Sequence, residues 1–189
     1  MHINWDVTVR FNPNSLETST HGIPVPSYGN YGGPGYTAGT EGGTTPELPI
    51  PTPVDALDSL FWQHDLVYQH VKDGTADPSQ IAKADVDLVE SMHFLTQSDP
   101  TLFTNDPEAL LYEALGTLSI VGKILTTPGE LAYLQTLPPA EQFLVGVLAP
   151  QEAVQNFETA LAETPGSESR SLHGVFHAFE AHFSDFLLA

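Results

Sequence analysis

Cysteine is absent from the 189 residues, and Lys plus Arg number only 5 against 24 Asp plus Glu. The first absence removes disulfides, iron–sulfur clusters, thiolate zinc sites and cysteine nucleophiles together. It leaves the compartment open, because a chain without cysteine survives in either redox environment. The second leaves a formal charge of −19 with histidine neutral. Nucleic acid is therefore not an expected partner: a duplex binder gains most of its affinity from Lys and Arg that displace counterions, and so few cations cannot make a basic stripe. Long apolar runs are missing too. The longest, Phe143 to Ala149, has seven residues, against the roughly 18 to 20 of a membrane span, so no transmembrane segment is expected. The start, Met1-His2-Ile3-Asn4-Trp5-Asp6, lacks the basic and apolar regions of a secretory signal.

What is present is enough apolar material, 41% of residues, for one packed domain or a core with a helical annex. Ile3, Trp5, Val7, Val9 and Phe11 alternate with polar residues, the period of a half-buried strand. From Asn12 to Pro53 the composition turns to Gly, Pro, Ser, Thr and Tyr, which predicts a long loop without a packed element, a kind of segment that is usually functional or disordered. Helix signals begin at Thr52-Pro53-Val54-Asp55, with Thr52 as the expected N-cap, and stop at Asp73-Gly74. A second helix opens at Asp77-Pro78-Ser79-Gln80 and runs to about Thr96, and a third opens at Asp106-Pro107-Glu108. Shorter helices are expected near 128 to 136, 138 to 148, 150 to 163 and 170 to 187. The fold class is thus mainly α, with residues 1–97 as the core and residues 98–189 as a helical extension packed on it.

Each of the first two helices carries a titratable residue inside its apolar face. At 100° per residue Leu57, Leu60, Phe61, His64, Val67, Tyr68 and Val71 share one side of the first helix, with Asp65 at its edge. On the second helix Ile81, Ala84, Leu88, Met92 and Leu95 share a side with Asp85, while Asp87 points elsewhere. His64 lies eight residues before the first helix ends and Asp85 about seven after the second begins, roughly 12 and 10 Å along antiparallel axes. The short connection favours antiparallel neighbours, so the two should meet. Such a pair can be a satisfied buried hydrogen bond; equally, the carboxylate can fix the imidazole tautomer and leave the other ring nitrogen to take a proton.

Ahead of these helices, Tyr28-Gly29-Asn30-Tyr31-Gly32-Gly33-Pro34-Gly35 places four glycines in eight residues. Such a run can turn carbonyl oxygens toward a common centre, the donor type a hard cation such as calcium prefers, and Asp65 could add a carboxylate. The same composition also suits a flexible linker. It holds no Lys to grip a phosphate in the Walker manner.

Together, this loop and Pro53-Val54-Asp55-Ala56-Leu57-Asp58-Ser59-Leu60-Phe61-Trp62-Gln63-His64-Asp65-Leu66-Val67-Tyr68 resemble the phospholipase A2 family, over about residues 28 to 97. The family's loop reads Y-G-x-Y-C-G-x-G and its helix P-V-D-x-L-D-x-C-C-x-x-H-D-x-C-Y. Gly32, Leu60, Phe61 and Val67 stand where the family has cysteines, so packing would replace bridges that each contribute roughly 2 to 4 kcal/mol. The resemblance implies a phospholipase A2-like core of two antiparallel helices with a Gly-rich calcium loop. It implies His64 as general base, Asp85 as its orienting partner, Tyr68 hydrogen-bonded toward Asp85, and the Gly33 N–H at the oxyanion. Calcium (Ca2+) would be held by the Asp65 carboxylate and the carbonyls of Tyr31, Gly33 and Gly35. The implied activity is hydrolysis of the sn-2 acyl ester of glycerophospholipids at a membrane or micelle surface. The location that goes with it is extracellular, reached without an N-terminal signal peptide, or within a larger protein. Given the charge, Tyr28, Tyr31 and Tyr36 are the expected membrane contacts. A different function remains open, that of a non-catalytic binding or toxin-like module acting through the C-terminal helices. There His173, His177 and Glu180 stand at helical spacings that can bind zinc but also border an ordinary amphipathic stripe.

Overall fold

The computed structural model describes residues 3–12, 17–18 and 23–163. The N-terminal alternation forms β1 (Ile3–Asn12), which pairs antiparallel with β2 (Glu17–Thr18) and β3 (Ile23–Tyr28) in the order β2-β1-β3. β3 corrects the expectation of an unpacked loop. Its two prolines, Pro24 and Pro26, are tolerated because it is an edge strand, and aliphatic content matters little where backbone pairing supplies the order. A second small hairpin, β4 (Tyr36–Thr37) with β5 (Thr40–Glu41), follows the glycine run.

The helices are α1 (Ala56–Lys72), α2 (Gln80–Ser98), α3 (Pro100–Asn105), α4 (Pro107–Thr126), α5 (Pro128–Thr136), α6 (Pro139–Phe143) and α7 (Ala149–Glu163). The protein is therefore mainly helical. Asp55, not Thr52, is the N-cap of α1. Its backbone is extended and its carboxylate accepts the Asp58 N–H at 2.8 Å, whereas Thr52 lies a full turn too early. The C-terminal signal at Asp73-Gly74 holds, Gly74 adopting the left-handed conformation that ends a helix. The sequence patterns predicted no α3, which is a single turn and a half capped by Asp99. Between α6 and α7 the chain does not break but widens into one π-helical turn, Leu144–Leu148. The helix expected at 170 to 187, with His173, His177 and Glu180, lies outside the described residues.

Two apolar clusters organise these elements. The larger joins Ile3, Val25, Tyr28 and Tyr31 from the N-terminal region to Leu57 and Phe61 of α1, Leu88 and Met92 of α2, Leu111, Tyr112 and Leu115 of α4, and Phe157 of α7. The smaller places Val86 and Val89, from the other side of α2, against Val121, Ile124, Leu134 and Val145. Helix α4 takes part in both. It is long and apolar enough to cross a membrane by length and composition, yet 61% of its most apolar window is buried inside the protein.

Candidate active site

The glycine run is fixed to α1 from below. Asp58 faces the loop, and its buried carboxylate accepts the N–H groups of Asn30, Tyr31 and Val54 at 2.8 to 3.1 Å. Gly29, at φ +54°, passes so close that an added Cβ would lie 2.4 Å from the Asp58 Cγ, so this position admits only glycine. Tyr28 stacks on Tyr112 with ring centroids 5.1 Å apart, Phe61 meets Tyr112 edge-on at 5.7 Å, and the Tyr28 hydroxyl donates to Asp55. Tyr28, Tyr31 and Tyr36 are thus buried, 0%, 1% and 4% exposed, and they cannot be the membrane contacts that the loop composition suggested. Absent side chains at the glycines let the tyrosines pack inward.

His64 and Asp85 meet as their spacing predicts. His64 Nε2 lies 2.7 Å from Asp85 Oδ1, and the Tyr68 hydroxyl donates to the same oxygen at 2.7 Å. The second oxygen, Oδ2, accepts from the Lys123 ammonium, which also binds Glu130 and sits 5.4 Å from the Tyr68 ring centroid. Asp85 is fully buried. Burial raises its pKa, but the imidazole of His64 and the charge of Lys123 outweigh that and hold the carboxyl well below the usual carboxylate range. Burial raises the Glu130 pKa, Asp85 adds to the rise, and Lys123 opposes it. Burial likewise pushes the Tyr68 hydroxyl up, reinforced by Asp85, so it stays a donor.

The other face of the imidazole looks to Asp65, with Nδ1 at 3.6 Å from Asp65 Oδ1 and the His64 side chain only 12% exposed. Burial disfavours the imidazolium, yet Asp65 and Asp85 together overcome it and hold the His64 pKa at about 9. Burial raises the Asp65 pKa, and bonds to His64 and Thr37 recover only part of that cost.

These residues share one cavity of about 670 Å³, within the range of small-molecule sites. Tyr31, Gly33, Gly35, Asp65, His64, Tyr68 and Lys123 line it, and Phe61, Leu88, Leu115 and Ile120 supply apolar wall. Among the described residues, no group of three or more His, Asp or Glu gathers as a metal site. Tyr31, Gly33, Gly35 and Asp65, all of which line the cavity, nevertheless carry oxygen donors of the type a hard cation prefers. Among the described residues the Tyr31 carbonyl accepts no backbone hydrogen bond, those of Gly33 and Gly35 accept one each, from Tyr36 and Gly42, and Asp65 supplies a half-buried carboxylate, 24% exposed. The Gly33 N–H donates to no group among the described residues.

Of the seven site positions singled out in the sequence, six (Tyr31, Gly33, Gly35, His64, Asp65 and Tyr68) line this cavity, and Asp85 stands behind His64. Sequence reasoning missed Lys123, Glu130 and Asp58. The one signal for Lys123 was a lone cation in the apolar run of α4, in a chain with only five. His93 and His70 meet carboxylates elsewhere, His93 Nδ1 lying 2.8 Å from Glu152 and His70 Nε2 2.8 Å from Glu47. Compared with family models, curated proteins and solved structures, the chain finds no match in any of the three.

Proposed function

We propose that this protein is a calcium-dependent lipid esterase of the phospholipase A2 type, cleaving the sn-2 acyl ester of glycerophospholipids. The observation that carries the reading is the His64 imidazole, held by Asp85 at 2.7 Å with its other nitrogen beside Asp65, on a cavity bordered by the Tyr28 to Gly35 loop. A Nε2–H donated to Asp85 leaves the Nδ1 lone pair to remove a proton from water, whose oxygen then attacks the ester carbonyl. The Gly33 N–H donates to the oxyanion, and the imidazolium, stabilised by Asp85, returns the proton to the departing glycerol oxygen. Asp65 and the carbonyls of Tyr31, Gly33 and Gly35 would hold the calcium ion. Bound there, calcium supplies Lewis-acid polarisation of the ester, a counter-charge for the substrate phosphate, and relief of the Asp65 charge that otherwise keeps His64 protonated. Release of fatty acid from phosphatidylcholine in millimolar calcium, abolished by a chelator and restored by calcium, is the expected result. No release, or release indifferent to the chelator, refutes the reading.

A further inference from the structure

Leu48 and Ile50 are 70% and 72% exposed, the highest values among large apolar side chains of the described residues. They belong to the segment 46–54, in which Pro46, Pro49, Pro51 and Pro53 stiffen the backbone and Val54 is also exposed. The segment is tied down at three carbonyls. Pro46 accepts from Trp62 Nε1 at 3.1 Å, Pro51 from the Tyr31 hydroxyl at 2.7 Å, and Thr52 from Asn30 Nδ2 at 2.8 Å. Glu47 adds a hydrogen bond with His70 Nε2 at 2.8 Å. Held this way, the loop presents its aliphatic side chains to water rather than folding them inward. Tyr31 and Thr45, at its two anchors, line the cavity, so the loop borders the candidate site.

We infer that Leu48, Ile50 and Val54 form a docking edge that inserts into a zwitterionic phospholipid surface and sets the cavity against it. The choice of surface rests on the esterase reading. Three side chains fall far short of the roughly 800 Å² per partner of a stable protein interface, whereas insertion into a lipid interface gains from a few aliphatic groups. The charge disfavours an anionic surface: no Lys or Arg occurs between Arg10 and Lys72, while Glu47, 78% exposed, lies in the loop and Asp55 directly follows it.

Co-sedimentation with phosphatidylcholine vesicles in millimolar calcium tests this, using the wild type, Leu48→Ser, Ile50→Ser and, as a control, Phe143→Ser, an exposed apolar site on α6. Each loop substitution should weaken partitioning about tenfold. Phe143→Ser should leave it unchanged, and hydrolysis of monomeric short-chain phosphatidylcholine should be the same for all four. Adding phosphatidylglycerol at low salt should weaken binding. The inference is overturned if the wild type does not bind, if the loop variants bind equally well, or if Phe143→Ser loses as much. It is also overturned if phosphatidylglycerol strengthens binding, or if sedimentation velocity shows that the loop variants dissolve a dimer instead. A wild type that binds through this loop yet releases no fatty acid from vesicles or monomers would sink the esterase reading and leave the docking edge standing.

Discussion

Replacing Asp85 with Asn should cost the fold about 3 kcal/mol, the lower end of the range for breaking a buried ion pair, and most of that cost should depend on Lys123. Three donors converge on the carboxylate: His64 Nε2–H and the Tyr68 hydroxyl on Oδ1, and the Lys123 ammonium on Oδ2. An amide of the same shape has one acceptor oxygen and turns an NH2 toward the remaining donor, so either Lys123 or the His64–Tyr68 pair loses its acceptor whichever way the amide faces. The lower end applies because Lys123 keeps Glu130 and is 27% exposed. Adding Lys123→Met removes the orphaned cation, so the double variant should be more stable than the sum of the two single costs allows, by about 2 kcal/mol. Urea denaturation of the four proteins closes this cycle, and fatty acid release from the same preparations reads the catalytic loss, about 10²- to 10⁴-fold for Asp85→Asn. Additivity within about 0.5 kcal/mol would refute the coupling. Wild-type turnover by folded Asp85→Asn would show that Asp85 does not orient His64.

His64→Gln should remove turnover while the urea midpoint stays close to that of the wild type, since Gln can still donate to Asp85 but cannot take a proton; residual wild-type turnover would move the base elsewhere. Millimolar calcium should raise the melting temperature through mass action on Asp65 and the loop carbonyls, and a chelator should reverse it; an indifferent melting temperature would sink the calcium site. Glu113, buried in α4 with Thr117 and Asn156 as hydrogen-bond partners, has its pKa raised by burial to about 7 from 4.5. A raised folded-state pKa gives a contribution that is full below pH 4.5 and lost as pH climbs through 7, about 3 kcal/mol in all. Glu113→Gln should therefore flatten the fall in stability between pH 5 and pH 8, and denaturation curves that fall equally in both proteins would refute it.

The helices were legible where short-range chemistry marks them. Asp106-Pro107 caps and opens α4, Pro128 opens α5, and Asp73-Gly74 closes α1, each a local device that works whatever packs against it. The His64–Asp85 contact was legible for a related reason. Both residues interrupt an apolar face, and a short connection leaves the two helices little choice of neighbour. The π-helical turn at Leu144–Leu148 carries no such mark, and the Pro-containing edge strand β3 is ordered by its partner rather than by its own composition. The tyrosines of the glycine loop misled because composition reports where a backbone can turn, not which way large side chains then fall.

Lys123 and Glu130 were illegible for a deeper reason. Lys123 stands 38 residues after Asp85, and the contact exists only because α4 docks across α1 and α2, a tertiary event with no period in the sequence. Its consequence reaches the site directly. In a chain of net charge −19, one of five cations is placed on the carboxylate behind His64. Together with His64, that cation keeps Asp85 ionised, and an ionised Asp85 accepts the Nε2–H, which leaves Nδ1 as the nitrogen turned away from it. Residues 98 to 136 are therefore part of the candidate active site: Tyr112, Leu115 and Ile120 form its wall, and Lys123, braced by Glu130 of α5, sets the charge on which the imidazole depends.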